Sequence, residues 1–399
     1  MTSLRTSHFT RVATAAACCG ALVVGTIIAA AAPASATTLS CGTVVTSSVT
    51  LTAQMNCSSD TTTSAIIIGA SGVTVDLNGH KILGPGANSN TEGIVDNPGG
   101  QGTSYNDVTI EDGTISNFNT DIDIEGTYTT PQSSASPFCN TYLSGAKVKS
   151  VTTTNNALDQ SEAVYGDCLD GAYVHQDTIN DAETGVELDY SEASLVNYSH
   201  LNSPYYGLYD YEGSGNTWAR NVLSNVAYDG IELSFTTSAT VKGNTVTGPD
   251  ALGIDDRSSS NLTIYNNTLD HLYDGVSEGS TSGGTVSDNK GTSDAYGLYG
   301  SDTTNITYAG NKFDNGQYGI ETEFPASEVL KGNVTNGNSE DGVYIYTDNE
   351  GSNGGEWSAT LTNNTANGNR FGLYSQFVTS GSSNHATGNK VINCYQVSC

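Results

Sequence analysis

Glu187, Tyr209, Glu232 and Asp255 follow one another at intervals of 22 or 23 residues, and more acids and tyrosines keep the same step on either side. Carboxyl groups in pairs can act as general acid and general base, and tyrosine rings can cover the apolar faces of sugars. When two carboxyls are held close, the charge on one raises the pKa of the other, so one keeps its proton while its neighbour is free to accept one. The catalytic candidates are therefore Glu232 and Asp255, with Glu187, Asp256 and Arg257 beside them. The candidates for holding a substrate are Tyr165, Asp189, Tyr209, Tyr211, Tyr299, Glu321 and Tyr344.

These residues are positioned by a repeat. A glycine followed by an aliphatic residue opens each unit, at Gly185-Val186, Gly207-Leu208, Gly230-Ile231, Gly253-Ile254, Gly275-Val276, Gly297-Leu298, Gly319-Ile320, Gly342-Val343 and Gly372-Leu373. The last interval is longer and carries an insertion around Asp348 to Glu356. A second column, Asn221, Asn244, Asn267, Asn289, Asn311, Asn333, Asn364 and Asn389, stays in phase with the first. Two columns in phase mean a solenoid. Alternation such as Ile231-Glu232-Leu233 reads as short half-buried strands, and the abundance of Thr, Ser, Gly and Asn disfavours helix. The expected fold is all-β, a right-handed parallel β-helix, with coils about 4.8 Å apart. A leucine-rich repeat of similar period would need several spaced leucines per unit, which these units lack.

The repeat also predicts the faces. With the aliphatic residue inward, the next residue faces outward. The outward column then reads Asp123, Tyr165, Glu187, Tyr209, Glu232, Asp255, Ser277, Tyr299, Glu321, Tyr344, Tyr374. Two residues on, a parallel column reads Glu125, Asp167, Asp189, Tyr211, Ser234, Arg257, Gly279, Ser301, Glu323, Tyr346. Stacking puts Glu232 and Asp255 about 5 Å apart at Cβ, and Glu187 and Glu232 about 10 Å apart, near the upper end for inverting hydrolysis. A soluble acidic solenoid must also place polar residues outside, so the same face reads equally as solvated surface. The asparagine column reads as structural, with stacked amides satisfying backbone groups, and His175, His200 and His271 as surface or packing residues.

The chain opens with Arg5 and Arg11, an apolar stretch from Val12 to Ala32, and Ala34-Ser35-Ala36, the pattern of a secretory leader cleaved after residue 36. A single β-helix domain is expected over 37–399. It holds six cysteines, for which the simplest pairing joins sequence neighbours: Cys41 with Cys57, Cys139 with Cys168, Cys394 with Cys399. The Thr/Ser/Pro-rich stretch 126–145 interrupts the repeat as a loop. Without the leader, 42 acids face 11 basic residues, which argues against binding nucleic acid or an anionic membrane. A polyanionic substrate would need a bridging cation.

The segment DLNGHKILGPG from Asp76 to Gly86, after a cysteine-flanked start, resembles the opening coil of secreted bacterial right-handed parallel β-helix proteins of the pectin-lyase-like superfamily. The later Gly-Ile/Leu and Gly-Asn units are similar to its generic repeats. The resemblance implies the fold but not one activity, because the superfamily holds lyases, hydrolases, epimerases, esterases and proteins with no known chemistry. Polygalacturonase-type hydrolases are matched only at Asn119-Thr120-Asp121 and Asp255-Asp256, several coils apart, and their histidine and Arg-Ile-Lys motifs are missing. Calcium-dependent lyases need acids for the metal and a Lys or Arg as base, a role open to Arg257, which is also the natural ion-pair partner of its acidic neighbours.

The expected function is a secreted monomer that binds an extracellular or cell-wall polysaccharide along the Glu/Asp/Tyr face and cleaves it. Hydrolysis is placed ahead of calcium-assisted elimination, and Ca²⁺ is the one cofactor considered. The rival is a non-catalytic glycan-binding or structural surface protein.

Overall fold

The computed structural model describes residues 35–96, 102–129, 138–154, 161–347 and 357–399. The chain is a parallel β-helix. Fifteen short strands stack in parallel into one ladder, from Thr43–Val45 to Ile392–Tyr395, and a larger set of 24 strands closes the other sides of each coil. One coil runs through Tyr206–Tyr211, Thr217–Ala219 and Val222–Ser224 before the next begins at Asp229–Ser234. A single 3₁₀ turn, Ala87–Ser89, is the only helical element among the described residues. No described helix is long and apolar enough to cross a membrane.

The core is a stack of the repeat's aliphatic residues. Val186, Leu208, Ile231, Ile254, Val276, Leu298, Ile320, Val343 and Leu373 lie above one another, all fully buried. Each contributes about 1.5–3 kcal/mol of burial. The preceding glycine is forced by close approach. A Cβ on Gly207 would sit 2.4 Å from the Gly230 carbonyl oxygen and 2.3 Å from a Leu223 methyl. The coils can stack at this spacing only while that column has no side chains.

The asparagines form a buried ladder along the axis. Asn244 Oδ1 accepts from the Asn221 backbone N–H at 2.9 Å and its Nδ2 donates to the Trp218 carbonyl at 2.9 Å, and Asn267, Asn289, Asn311, Asn333 and Asn364 repeat the pattern. The ladder continues from Asn364 to Asn384, not to Asn389 as the spacing suggests. Asn389 belongs to a second, shorter ladder with Asn338 and Asn369. The last coils are shorter by a few residues, so the 22-to-23-residue count overshoots by one turn position.

All three sequence-neighbour disulfides form: Cys41–Cys57, Cys139–Cys168 and Cys394–Cys399. They fit an extracellular or periplasmic protein. Cys139 sits in an antiparallel ribbon, Thr127–Thr129 with Phe138–Thr141, that Cys168 ties to the adjacent coil. Residues 130–137 of the expected loop and the insertion at 348–356 lie outside the described residues. So does the expected leader, except Ser35 and Ala36, which pair with Val49 and Thr50.

Candidate functional site

The outward columns fall in the predicted register. Glu187 pairs with Tyr209, Tyr209 with Glu232, Glu232 with Asp255, and the row runs on through Ser277, Tyr299, Glu321 and Tyr344 to Tyr374. The second row is likewise continuous from Glu125 to Tyr346, with Asp189 beside Tyr211 and Ser234 beside Arg257. The acids are not exposed as expected, however. Glu232, Asp255, Glu321 and Asp123 are buried, and Arg257 lies against the first two.

A third row was missed. The residue before each opening glycine, including Thr184, Tyr206, Asp229, Asp274, Tyr296, Tyr318 and Asp341, joins the same ladder. Strict alternation counted back from Ile231 turns Asp229 inward. The tucked glycine breaks that alternation, and the residue before it lines the outer face with the other two rows. The signal was present in the sequence as a column of Tyr and Asp immediately before Gly.

This third row completes the charged centre of the face. Arg257 Nε lies 2.5 Å from Asp255 Oδ2, one terminal nitrogen lies 3.2 Å from Glu232 Oε1, and the other lies 3.4 Å from Asp229 Oδ2. The Arg257 side chain is 46% exposed, whereas the three carboxylate side chains are 1%, 8% and 4% exposed. Oxygens of Asp229, Glu232 and Asp255 lie within 4.8 Å of one another. Burial and the Asp255 and Glu232 charges push Asp229 up to about 8, against the pull of Arg257. Burial also raises Asp255, again opposed by Arg257.

Asp256 does not belong to this centre. The alternation that turns Asp255 outward turns Asp256 into the core, where it is fully buried and accepts a hydrogen bond from Thr281 Oγ1 at 2.7 Å. It stacks between Leu233 and Glu278 in the inward row and cannot reach a ligand on the face.

A cavity of about 360 Å³ opens beside the clamp, lined by Thr184, Glu187, Tyr206, Tyr209, Glu232 and Arg257. Thr184 and Glu187 also line a second, more polar cavity of about 400 Å³ toward Asn90 and Asn119. Burial, then the charges of Glu162, Glu232 and Glu183, push Glu187 up to about 8. Burial and Glu187 push Asp189 up to about 9. Tyr165 Oη donates to Asp189 Oδ2 at 3.5 Å, so these two residues are turned partly toward each other. Tyr209 and Tyr211 have ring centroids 6.3 Å apart, and Tyr211 meets Tyr190 edge-on at 5.5 Å.

Farther along the same face the rows become aromatic. Tyr344 stacks on Tyr346 at 4.8 Å and lies 5.4 Å from Tyr374, Tyr296 stacks on Tyr318 at 4.8 Å, and Tyr299 Oη donates to Glu323 at 3.0 Å. Burial pushes Glu321 up to about 7, with Asp341 adding to the shift. A cavity of about 290 Å³ here is lined by Tyr318, Tyr344, Phe371 and Tyr374 with the Glu340–Arg370 ion pair.

A family profile described as the right handed beta helix region matches residues 211–354 and 253–399. This chain is a right-handed parallel β-helix repeat protein. A profile of the periplasmic copper-binding protein NosD matches residues 92–280 of the β-helix. Among solved structures, the β-helix is similar to the Azotobacter vinelandii mannuronan C-5 epimerase AlgE6 A-module, at 11% identity and TM-score 0.49, covering 88% of this chain and 89% of that one. It is also similar to a point mutant of the periplasmic alginate epimerase AlgG, at 12% identity and TM-score 0.45, over 85% and 77% of the two chains. The catalytic domain of a GH87 alpha-1,3-glucanase is similar at 12% identity and TM-score 0.45, over 84% of this chain and 61% of that one. No curated protein sequence matches the β-helix significantly.

Copper does not fit the donors the β-helix brings together. Of the two described acid or cysteine clusters with ligand spacing, one contains Cys139 and Cys168, which are joined to each other and offer no thiolate. The other, Asp229, Glu232 and Asp255, offers only hard carboxylate oxygens, which suit calcium or magnesium rather than copper. His175 Nδ1 is engaged by Asn197 Oδ1 at 2.6 Å, with its ring stacked on Tyr173.

Proposed function

We propose that this protein is a secreted monomer that binds a neutral polysaccharide along the three-row face and hydrolyses it, with Glu187 as general acid and Glu232 as general base. The observation that carries the reading is that Glu187 and Glu232 line one cavity, between Tyr206, Tyr209 and Arg257. Glu187, pushed up to about 8 by burial and acidic neighbours, keeps its proton at neutral pH as a general acid must. It donates that proton to the glycosidic oxygen as the bond to the anomeric carbon breaks. Water attacks the opposite side of that carbon and loses its proton to Glu232. The two residues are two coils apart, about 10 Å between backbones, which leaves room for the water and favours inversion. Asp255 and Asp229 hold Arg257, and Arg257 holds Glu232 in place.

The strong negative charge of the chain selects a neutral glycan for this route; a polyuronate fits only if a cation offsets the face. A screen of the purified chain against neutral and uronic polysaccharides, with and without Ca²⁺, tests it. New reducing ends without unsaturated product support hydrolysis, and ultraviolet absorbance from an unsaturated product replaces it with elimination. A second reading, a non-catalytic glycan-binding surface protein, is favoured by one observation: Arg257 already neutralises Glu232 and Asp255. Silence in both channels, with binding retained, selects that reading.

A further inference from the structure

We propose that a second face of the coil, around Tyr198, Arg220 and Lys242, binds an acidic polysaccharide, apart from the three-row face. This second face belongs to the larger strand set, in which Lys147–Thr154, Tyr173–His175, Leu195–Asn197, Thr217–Ala219, Thr240–Lys242 and Ser260–Tyr265 stack in parallel. Alternation buries the middle column, Val148, Val174, Val196, Trp218, Val241 and Ile264, and turns the positions on either side of it outward. One outward column reads Lys149, His175, Asn197, Ala219, Lys242 and Tyr265, and the other runs from Lys147 to Thr263. Neither column holds an acid in these coils, and nor do the turn positions that follow them, from Ser150 to Asn266. In a chain of 42 acids and 13 basic residues, this strip reverses the local balance of charge.

The strip is also pre-arranged. His175 stacks on Tyr173 at 4.9 Å and meets Tyr198 edge-on at 5.7 Å, which fixes the exposed Tyr198 ring. The Arg220 guanidinium lies 5.4 Å from the centre of that ring and donates to Tyr198 Oη. Lys149 is paired with Glu111 at 2.5 Å, but Arg220 and Lys242 have no ion-pair partner among the described residues. Lys242 pairs with Ala219, the residue before Arg220, so the two free cations sit on adjacent coils. A planar guanidinium already held on a ring matches a carboxylate or sulfate group, and the ring beside it can cover the apolar face of a sugar. Duplex DNA, with one negative charge per about 1.7 Å, needs many more cations and is repelled by the chain as a whole. A glycan with one acidic group per sugar needs only the two.

The inference goes beyond hydrolysis at the three-row face and does not need it, so its test reads binding alone. The full chain is titrated with polygalacturonate oligomers by calorimetry at low salt in EDTA, which removes binding through a bridging cation. Saturable binding that weakens with added NaCl is expected in the wild type. Arg220→Ser with Lys242→Ser should weaken it at least about tenfold, because both charge-assisted contacts are lost. Arg257→Met, on the three-row face, should leave it unchanged. Should the double variant fail to fold, Tyr198→Ala decides, with a several-fold loss expected. The proposal is overturned if the wild type does not bind, or if binding survives the change at Arg220 and Lys242, or at Tyr198 where that variant decides. Binding abolished by Arg257→Met overturns it by moving the site to the other face, and tighter binding of a DNA duplex than of polygalacturonate overturns it in favour of nucleic acid.

Discussion

The two halves of one sheet face share backbone, register and spacing, yet differ in what they carry. From Asp123 to Arg257 the rows hold mostly acids, with Tyr165, Tyr206, Tyr209 and Tyr211 among them; from Tyr296 to Tyr374 they hold mostly rings. The acidic half is costly. Its carboxyls are pushed upward by burial and by each other, and among the charges acting on Glu187 and Asp189 every one is acidic. The aromatic half carries fewer acids and gains from stacked pairs at 4.8 Å. A protein retains buried, mutually repelling acids where they act, and inexpensive rings where it only has to hold a ligand. On the proposed function, the first half would carry the chemistry and the second the grip.

The largest test of that division is catalytic. Glu187→Gln and Glu232→Gln should each lower kcat by about 10²–10⁴, with glycan binding kept, since each removes a proton-transfer group without removing the rings. Equal loss of binding in both variants would erase the distinction between the halves.

Acidity offers a second test, through acids that neither half uses. Glu278 and Glu328 are buried inside the coils, the first accepting from Tyr308 Oη at 2.7 Å and the second from Thr303 Oγ1. Burial pushes them up to about 8 and about 7, with the Asp256 charge adding to the Glu278 shift. Both folded values lie above the ordinary carboxylate range, so the folded state holds the extra protons. Their stabilisation is full below about pH 4 and is lost as pH rises through 7 to 8. The melting temperature should therefore fall by several degrees between pH 5 and pH 8, and Glu278→Gln should flatten that slope. A melting temperature that rises over this range would contradict the assignment.

The ladder beneath both halves should respond to mutation without regard to either. Asn267→Ala leaves the Asn244 N–H without its partner, removes one of the donors to the Val241 carbonyl, and should cost about 1–3 kcal/mol by denaturant unfolding, with residual activity per folded molecule unchanged. The smallest effect is expected at the aromatic end. Tyr344→Ala should weaken glycan binding several-fold, about 0.5–1.5 kcal/mol, and leave kcat on short substrates intact. A kcat defect there would move chemistry into the second half.

Much of this architecture could be read from the chain alone, because a solenoid writes its tertiary contacts as a period. The Gly-aliphatic step fixed which residues stack, the alternation after it fixed which face Glu187, Glu232 and Asp255 share, and short separations paired the cysteines. Asp256 was also legible as an inward residue; the adjacent Asp255 drew it into the site on type alone. Three things needed the folded structure. The kink at each opening glycine, set by the carbonyl of the next coil, brought Asp229 and its row onto the face. The shorter final coils passed the asparagine ladder to Asn384. And the convergence of Arg257 on three acids from two coils depends on side-chain reach and burial, which a repeat does not encode: a period says which backbones are neighbours, and only packing decides which charged atoms meet.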